Sequence, residues 1–137
     1  MIIRVLGSGD ARVLSRVAAD VFDNPINAAW TAEFFADPRH HIVVAMDNDL
    51  VVGIVTGVHY VHPDKPPELF IVEVGVAAEY RGRQIGRQLM RAMLDHAKTL
   101  GCHEAWLGAE EDNAAARRLY AAVGGQERAM ILVGFEL

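Results

Sequence analysis

Residues 73–90 read EVGVAAEYRGRQIGRQLM and join an apolar strand to a long amphipathic helix. The strand, over 69–76, is apolar at nearly every position, which is typical of a strand buried on both faces. The helix, over 85–100, carries apolar residues at helical spacing and ends at Gly101. Glycines and arginines crowd the junction, where free N–H groups at a helix start favour an anion. The junction therefore predicts an anion site, although a plain glycine-containing turn would show the same pattern.

The junction excludes two common nucleotide-binding loops. It lacks the Gly-Lys-Ser/Thr ending of a Walker A loop. The G-x-G-x-x-G fingerprint of dinucleotide-binding domains does not occur either, and the junction comes late in the chain. We therefore expect neither ATP nor NAD as the ligand.

The rest of the sequence predicts a mixed α/β sheet. A strand, a helix and another strand follow one another over 69–76, 85–100 and 104–108, which is one βαβ unit. The residues Asp47-Asn48-Asp49 are typical of a hairpin turn, and 62–67 (HPDKPP) predicts a loop. The other predicted elements are strands over 1–6, 41–46, 50–60 and 129–135 and helices over 10–22, 28–36 and 114–123.

Length and composition predict one soluble domain over residues 1–137. The chain is 52% hydrophobic and 23% charged, which suits a compact globule. No apolar run reaches the roughly 18 residues that a membrane helix requires, so we expect no membrane partner. A single cysteine, Cys102, excludes an internal disulfide and favours a cytoplasmic location. The six histidines show no ligand spacing, so we expect no metal.

Charge is distributed unevenly along the chain. The net charge of −5 argues against a nucleic-acid partner. Residues 81–91 contain four arginines and no acid, so removing these four charges leaves −9 on the remaining residues. This arrangement suits a small polyanion at one place and a small cationic amine at another, although a solvated basic helix face is the simpler interpretation. A homodimer is left open.

The junction resembles the acyl-CoA-binding segment of the GNAT N-acetyltransferase superfamily, whose loop reads Q/R-x-x-G-x-G/A before a long helix. Arg81 and Gly86 match the first and last positions, whereas Gln84 stands where the family usually has glycine. Residues 113–124 resemble the second motif of the family, N-x-x-A-x-x-L-Y-x-x-x-G, and Gly125 replaces the aromatic residue that usually follows. Together the two motifs and the element order cover most of the chain.

The resemblance implies an α/β (α+β) fold: a mixed, mostly antiparallel sheet of about six strands, flanked by about four helices. The central parallel strands 69–76 and 104–108 are expected to splay apart, with the pantetheine arm of acetyl-CoA in the gap. A helical backbone is expected at Gln84, so that its N–H still reaches the pyrophosphate. The residues implied in binding acetyl-CoA are Val74, Val76, Arg81, Gly82, Arg83, Gln84, Ile85, Gly86, Arg87, Asn113 and Tyr120.

The resemblance also implies two catalytic residues and direct transfer in a ternary complex. Tyr120 is expected beside the thioester sulfur, where its hydroxyl protonates or hydrogen-bonds the leaving thiolate. Glu73 is the one charge in the strand LFIVEVGV, and a carboxylate there is costly unless it is paired or working. We expect it to take the proton of the attacking amine, directly or through water. Strand alternation places Glu73 on the face of Leu69 and Ile71, and a structural ion pair is the alternative.

The acceptor is expected to be cationic. Glu110, Glu111 and Asp112 stand just before the helix of the second motif, as a clamp for a polycation or as helix-start charges. In its acidic residue at 73 and in Ala109-Glu110, the chain resembles the type I aminoglycoside 3-N-acetyltransferases (gentamicin acetyltransferases). Alternatives are acetylation of a polyamine, a diamino acid or a peptide N-terminus, and a non-catalytic acyl-CoA-binding module.

Overall fold

The computed structural model describes all 137 residues and contains one mixed sheet with the strand order β1-β2-β3-β4-β5. Neighbouring strands are antiparallel except β4 and β5, which are parallel. The strands are β1 Ile2–Val5, β2 His40–Asp47, β3 Leu50–His62, β4 Lys65–Val76 and β5 Glu104–Trp106. The α-helices are α1 Ala28–Ala36, α2 Ile85–Thr99 and α3 Ala114–Ala122, with 3₁₀ turns at Ala11–Ser15 and Ala78–Tyr80.

Each face of the sheet has its own hydrophobic core. The α2 core contains twelve buried residues, among them Val43, Val55 and Leu69, and α2 adds Ile85, Leu89, Met90, Met93 and Ala97. The opposite core contains seven buried residues, among them Ile42 and Ile54. The apolar stripe predicted on α2 is therefore confirmed. Burying such a stripe against a sheet is what holds a helix of this length in place.

The predicted helix over 10–22 is wrong. Only Ala11–Ser15 forms a 3₁₀ turn, and the residues after it run irregularly. Val17 instead forms a parallel bridge with Val51 of β3, and Asp20 adopts a left-handed backbone with φ 66°. Sheet pairing by a β-branched residue and a positive φ both interrupt helical geometry. One of the four expected helices is lost for this reason.

The predicted strand over 129–135 is also wrong, and the sheet has five strands instead of about six. Residues 124–137 contain no regular element, and all of them are exposed. The predicted loop over 62–67 is shorter than expected, because β3 and β4 pair up to His62↔Lys65 and leave only a two-residue turn. Two prolines in β4, Pro66 and Pro67, sit at its start, where a missing N–H is tolerated.

Candidate active site

The segment between β4 and α2 has a left-handed backbone at two positions. Gly82 has φ 76° and Gln84, the residue just before α2, has φ 66°. The helical backbone expected at Gln84 is therefore wrong. A left-handed conformation is strained for a residue with a side chain, whereas glycine adopts it freely. The family's glycine at this position and the observed conformation have the same physical cause.

This segment presents a run of free backbone donors. The N–H groups of residues 82–87 make no hydrogen bond within the chain, and the first helical bond of α2 runs from the Gln88 N–H to the Gln84 carbonyl. Successive free N–H groups at a helix start form a concave site for an anion. The predicted phosphate-binding residues Gly82 to Arg87 therefore lie together in one segment, and its chemistry fits a pyrophosphate.

Two arginines of the segment are held by local contacts. The Arg81 Nε donates a hydrogen bond of 3.2 Å to the Val76 carbonyl at the end of β4. The Arg83 guanidinium lies 4.8 Å from the centre of the Tyr80 ring, and the Tyr80 hydroxyl donates a 2.6 Å hydrogen bond to Asp47 Oδ2. Tyr80 thus ties the segment to the hairpin between β2 and β3. Arg87 is exposed on the first turn of α2.

The predicted splaying of the central parallel strands is present. β4 pairs with β5 only from Glu68↔Glu104 to Phe70↔Trp106, although β4 continues to Val76. The Ala77 N–H bonds to the Val52 carbonyl on β3, and backbone groups of alternate residues point to alternate edges of a strand. Val74 and Val76 therefore direct their N–H and C=O groups into the gap, as expected for residues that pair with an extended arm.

Helix α3 carries the predicted tyrosine and packs on α2. A Cβ at Gly86 would lie 3.1 Å from Leu119 Cδ2, so Gly86 allows this close packing of the two helices. Tyr120 is half-buried against the α2 core, and burial raises the pKa of its phenol. The Asn113 Oδ1 accepts a 3.1 Å hydrogen bond from the Ala116 N–H, so this side chain caps α3.

Glu73 lies on the opposite face of the sheet from the one expected. The pairing of β3 with β4 shifts between Thr56↔Glu73 and Gly57↔Ile71, which leaves Val72 as an extra residue. Such a β-bulge reverses the alternation beyond it. Ile71 stays in the α2 core, whereas Glu73 turns away from it, and its Oε1 accepts a 3.1 Å hydrogen bond from the Asp23 N–H. Glu73 forms no ion pair with any basic side chain.

A cavity of about 490 Å³ opens on this face, and Glu73 is one of the residues that line it. Aromatic and aliphatic side chains line much of it, and its carboxylates are those of Asp23 and Glu73, with no lysine or arginine. Trp30 of α1 is 72% exposed at its wall, and Val72 of the bulge is 58% exposed. Further apolar lining comes from Leu14, Phe22, Ile26, Phe34, Phe35, Ile42 and Val58.

No single sequence motif predicts this cavity, because its walls come from residues 14–35, β2, β3 and β4. The dense aromatic content of 22–35 (FDNPINAAWTAEFF) was the available signal. His40 also lines the cavity, and its ring stacks on Phe34 with 5.4 Å between the ring centres.

The three acids before α3 lie outside this cavity. Glu110, Glu111 and Asp112 are exposed, and none forms a salt bridge. Their backbone carbonyls accept bonds from Asn113, Arg117 and Ala114, so the segment is a turn that leads into α3. These three acids therefore lie apart from the cavity that Glu73 helps to line.

The structure contains neither a membrane-spanning helix nor a cluster of metal-ligating side chains. None of the helices is both long and apolar enough to cross a bilayer. No group of three or more histidine, cysteine, aspartate or glutamate side chains is arranged to hold a metal ion.

Comparison with known proteins identifies a family and relatives for this sequence. The sequence profile of the "Acetyltransferase (GNAT) family" matches residues 13–124. The "N-alpha-acetyltransferase RimI" of Mycobacterium tuberculosis is 33% identical over 126 residues, which are 90% of this chain and 77% of that protein.

Solved structures share the fold at low sequence identity. The chain superposes on an aminoglycoside acetyltransferase, meta-AAC0020 from an uncultured soil metagenomic sample in complex with trehalose, with a TM-score of 0.86. That match has 16% identity and covers 99% of this chain and 95% of the other. AAC(6')-Iy in complex with the bisubstrate analog CoA-S-monomethyl-acetylneamine matches with a TM-score of 0.81 and 17% identity, over 99% and 98% of the two chains.

Proposed function

The chain belongs to the acetyltransferase (GNAT) family and is an acetyl-CoA-dependent acyltransferase; from this premise we propose that it acetylates a cationic primary amine bound beside Glu73. The observation that carries the proposal is the cavity beside Glu73, because its lining contains two carboxylates and no lysine or arginine. Such a lining favours an ammonium ion over an anion or a neutral ligand. Acetyl-CoA supplies the activated acetyl group.

The two catalytic candidates approach the gap from opposite faces of the sheet. Tyr120 packs with the α2 core, and Glu73 points into the cavity on the other face. The open edge of β4 lies between them, since β5 pairs only as far as Phe70↔Trp106. A cofactor from one side and an amine from the other would meet there, which suits direct transfer in a ternary complex.

In this proposal each residue moves or holds one proton. The bound ammonium group first loses one proton to the Glu73 carboxylate, directly or through water. The neutral amine then forms the new C–N bond as the C–S bond breaks, and the second proton that its nitrogen loses ends on the sulfur, which leaves as the CoA thiol. The Tyr120 hydroxyl donates a hydrogen bond to the departing thiolate. Since burial raises the pKa of this phenol further above that of a thiol, hydrogen bonding contributes more than full proton transfer. The free N–H groups of residues 82–87 hold the pyrophosphate.

An aminoglycoside is our first candidate for the acceptor. Asp23 and Glu73 lie side by side, bridged by the Asp23 N–H, and can bind one ammonium group of a polyamine sugar. The acetyltransferases with the same fold include enzymes named for aminoglycosides. The resemblance to the type I aminoglycoside 3-N-acetyltransferases favours the 3-amino group, whereas AAC(6')-Iy is named for the 6' position. NMR of the product would show which amino group carries the acetyl group.

The α-amino group of a peptide is the second candidate, and the apolar lining of the cavity favours it. Trp30, Phe22 and Phe34 can receive an apolar side chain next to a single ammonium group. The relative from Mycobacterium tuberculosis is named as an N-alpha-acetyltransferase. This candidate needs only the carboxylates of the cavity, whereas a polycation would also use Glu110, Glu111 and Asp112.

The test is thiol release from acetyl-CoA with a panel of gentamicin, sisomicin, spermidine, 2,4-diaminobutyrate and short peptides with apolar first residues. Turnover of the aminoglycosides supports the first candidate, and turnover of the peptides alone supports the second. Replacing the three acids by Glu110→Gln, Glu111→Gln and Asp112→Asn should raise KM for an aminoglycoside about tenfold if they clamp it. The same change should leave KM for a peptide unaltered. No thiol release with any amine would contradict the proposal.

A further inference from the structure

Residues 16–23, which we call the crossing segment, run from β3 to the face of β4 that points away from α2. The first part of this segment is attached to β3. The Ala18 N–H donates to the Val51 carbonyl and the Val51 N–H donates to the Arg16 carbonyl, each at 2.9 Å. These two bonds make up the parallel bridge between Val17 and Val51. The crossing segment therefore starts at a defined position on the sheet.

The middle of the crossing segment is held by a turn and by a buried side chain. Asp20 has a left-handed backbone, which redirects the chain between the bridge and Val21. The Val21 side chain is 2% exposed and belongs to the core opposite α2, together with Ile42 and Ile54. Both features keep the main chain after Asp20 against the sheet.

Gly75 allows the crossing segment to lie directly on β4. A Cβ at Gly75 would overlap the carbonyl oxygen of Val21 and would lie 3.1 Å from its carbonyl carbon. Gly75 does not have a positive φ, so its backbone conformation alone does not require glycine. A glycine inside a strand weakens it and often marks a place where another backbone comes close. The approach of Val21 is therefore the feature that requires glycine at position 75.

Two residues further along, the crossing segment holds the side chain of Glu73. The Asp23 N–H donates a 3.1 Å hydrogen bond to Glu73 Oε1. Val21 contacts Gly75 and Asp23 contacts Glu73, so both contacts lie on the same face of β4. One short stretch of main chain therefore sets both the approach to Gly75 and the position of the donor at Asp23.

The Asp23 N–H is the contact that fixes the direction of the Glu73 carboxylate. A glutamate side chain has several rotamers, and its last torsion is broad. No other hydrogen bond and no ion pair within the chain restrains this carboxylate. The bond occupies Oε1 and leaves Oε2 for a ligand in the cavity. A proton acceptor must lie within about 2.6–3.2 Å of the group that it deprotonates or of a bridging water, so this direction matters.

We propose that Gly75 and the main-chain N–H of Asp23 are positioning groups for Glu73, an inference that rests on the proposed role of Glu73 as proton acceptor. The crossing segment lies close to β4 because residue 75 has no side chain. This closeness brings the Asp23 N–H to Oε1, and the bond aims Oε2 at the amine. Gly75 and the Asp23 N–H thus act through Glu73 and not on the amine itself.

A double-mutant cycle of Gly75→Ala with Glu73→Gln tests this proposal. In the wild-type background, Gly75→Ala should lower kcat by about 10²-fold, because the added Cβ displaces the Val21 carbonyl and with it the Asp23 N–H. In the Glu73→Gln background the same substitution should change kcat by less than about twofold, since the proton acceptor is already absent. KM for the amine should rise in both backgrounds, because Asp23 lines the cavity and moves with the segment.

Gly53→Ala is the matched control, because it also crowds a glycine inside a strand. Its Cβ would lie 3.0 Å from Leu89 Cδ1, on the α2 side of the sheet, and any change in kcat should be equal in the two backgrounds. Isothermal titration with acetyl-CoA checks that every variant is folded. An equal loss of kcat from Gly75→Ala in both backgrounds, or no loss in either, would overturn this inference and leave the proposed function standing. Full activity of Glu73→Gln alone would overturn both.

A change of a single backbone atom tests the donor without adding bulk, and it decides the matter if Gly75→Ala does not fold. Incorporation of the α-hydroxy acid analogue of aspartate at position 23 replaces the N–H by an ester oxygen and keeps the carboxylate. It should lower kcat about tenfold, because a hydrogen bond to a charged group is lost. The same replacement at exposed Asp64, whose N–H makes no hydrogen bond within the chain, should leave kcat unchanged. A wild-type kcat for the ester at position 23, or an equal loss at both positions, would overturn the inference.

Discussion

The cofactor side and the acceptor side of the site are built from different kinds of groups. On the cofactor side, the free N–H groups of residues 82–87 and the open edge of β4 present backbone atoms. On the proposed acceptor side, side chains such as Trp30 and Glu73 line a cavity between residues 14–35 and the strands β2, β3 and β4. Backbone recognition needs only a conformation, whereas side-chain recognition needs particular residues.

This difference explains how the two sides can vary. A backbone site accepts many side chains, so Gln84 can replace a glycine as long as it adopts the same left-handed conformation. We propose that apolar contacts and carboxylates set the preference of the cavity for its amine, so a substitution in its walls should change that preference.

Glu73→Gln should lower kcat/KM by about 10²–10⁴ at neutral pH, because the variant cannot accept the proton of the amine. The binding constant of acetyl-CoA should hardly change, since Glu73 faces the acceptor cavity. Activity should recover partly at high pH, where the amine loses its proton without help. Glu79→Gln is the control, because Glu79 is an exposed acid in the 3₁₀ turn after β4. A pH–rate profile like that of the wild type would make Glu73 a structural residue.

Tyr120→Phe should lower kcat by about 10²-fold, because it removes a donor to charge that develops in the reaction. Acetyl-CoA affinity and KM for the amine should remain close to wild type. Tyr60→Phe is the control: the Tyr60 hydroxyl accepts a bond from Trp106 Nε1 and lies outside the proposed chemistry. An equal loss in acetyl-CoA affinity and in kcat/KM for Tyr120→Phe would assign this hydroxyl to cofactor binding.

The fold class could be predicted from the sequence, and so could the single continuous segment that we propose for the pyrophosphate. The glycine-containing junction and the stripe on α2 are local patterns, and residues 82–87 lie in one continuous segment. The face of Glu73 could not be predicted, because a single extra residue, Val72, reverses the alternation of β4. The cavity could not be predicted either, since its walls meet only after β3 and β4 have paired.

Residues 129–135 show another limit of sequence reasoning. They have the composition of a strand, but the structure contains no strand there. Pairing depends on an available edge as well as on composition, and no strand of the sheet pairs with these residues. A pattern predicts what a segment requires, but only the tertiary structure decides what supplies it.

Acidification should destabilise the fold through His41. Its ring is buried between His59 of β3 and His96 of α2, at 2.7 and 3.0 Å. Burial lowers the pKa of His41 from 6.5 to about 4, with repulsion from His96, His59 and His40 adding and Asp37 opposing. The unfolded chain therefore takes up this proton first as the pH falls.

Since the folded pKa is the lower one, the stability is fully present above pH 6.5 and is lost as the pH falls towards 4. We expect a loss of about 2 kcal/mol after allowing for partial solvation. Urea unfolding measured between pH 7.5 and 4 checks this. His41→Asn should flatten the slope in this window, whereas His62→Asn, at an exposed site on β3, should retain it. Equal slopes for wild type and His41→Asn would contradict the assignment.

Trp30→Ala should raise KM for the amine about tenfold, because the lining of the cavity loses its largest apolar side chain. Arg83→Ala should do the reverse and weaken acetyl-CoA without changing KM for the amine. Trp30→Phe keeps an aromatic ring and should show a smaller effect than Trp30→Ala. Isothermal titration with acetyl-CoA and initial rates with the amine measure the two sides separately. A change in acetyl-CoA affinity for Trp30→Ala would show that the two sides are not separate.

Gln84→Gly should stabilise the protein by about 1 kcal/mol, although glycine normally weakens a helix start. The helical backbone expected from the sequence gives a loss instead. The observed φ of 66° costs a residue with a side chain about 1–2 kcal/mol, and glycine removes this cost. Glycine also has more conformational freedom in the unfolded chain, which cancels only part of the gain. Gln88→Gly, the same substitution one turn later in the exposed part of α2, should destabilise by about 1 kcal/mol. Opposite shifts of the two midpoints in urea would establish the left-handed backbone at Gln84.

Acetyl-CoA should bind Gln84→Gly as tightly as wild type or more tightly, because the N–H groups proposed to hold the pyrophosphate are unchanged. A large loss of affinity in this variant would mean that the glutamine side chain itself binds the cofactor, and the cofactor side would then depend on a side chain as the acceptor side does.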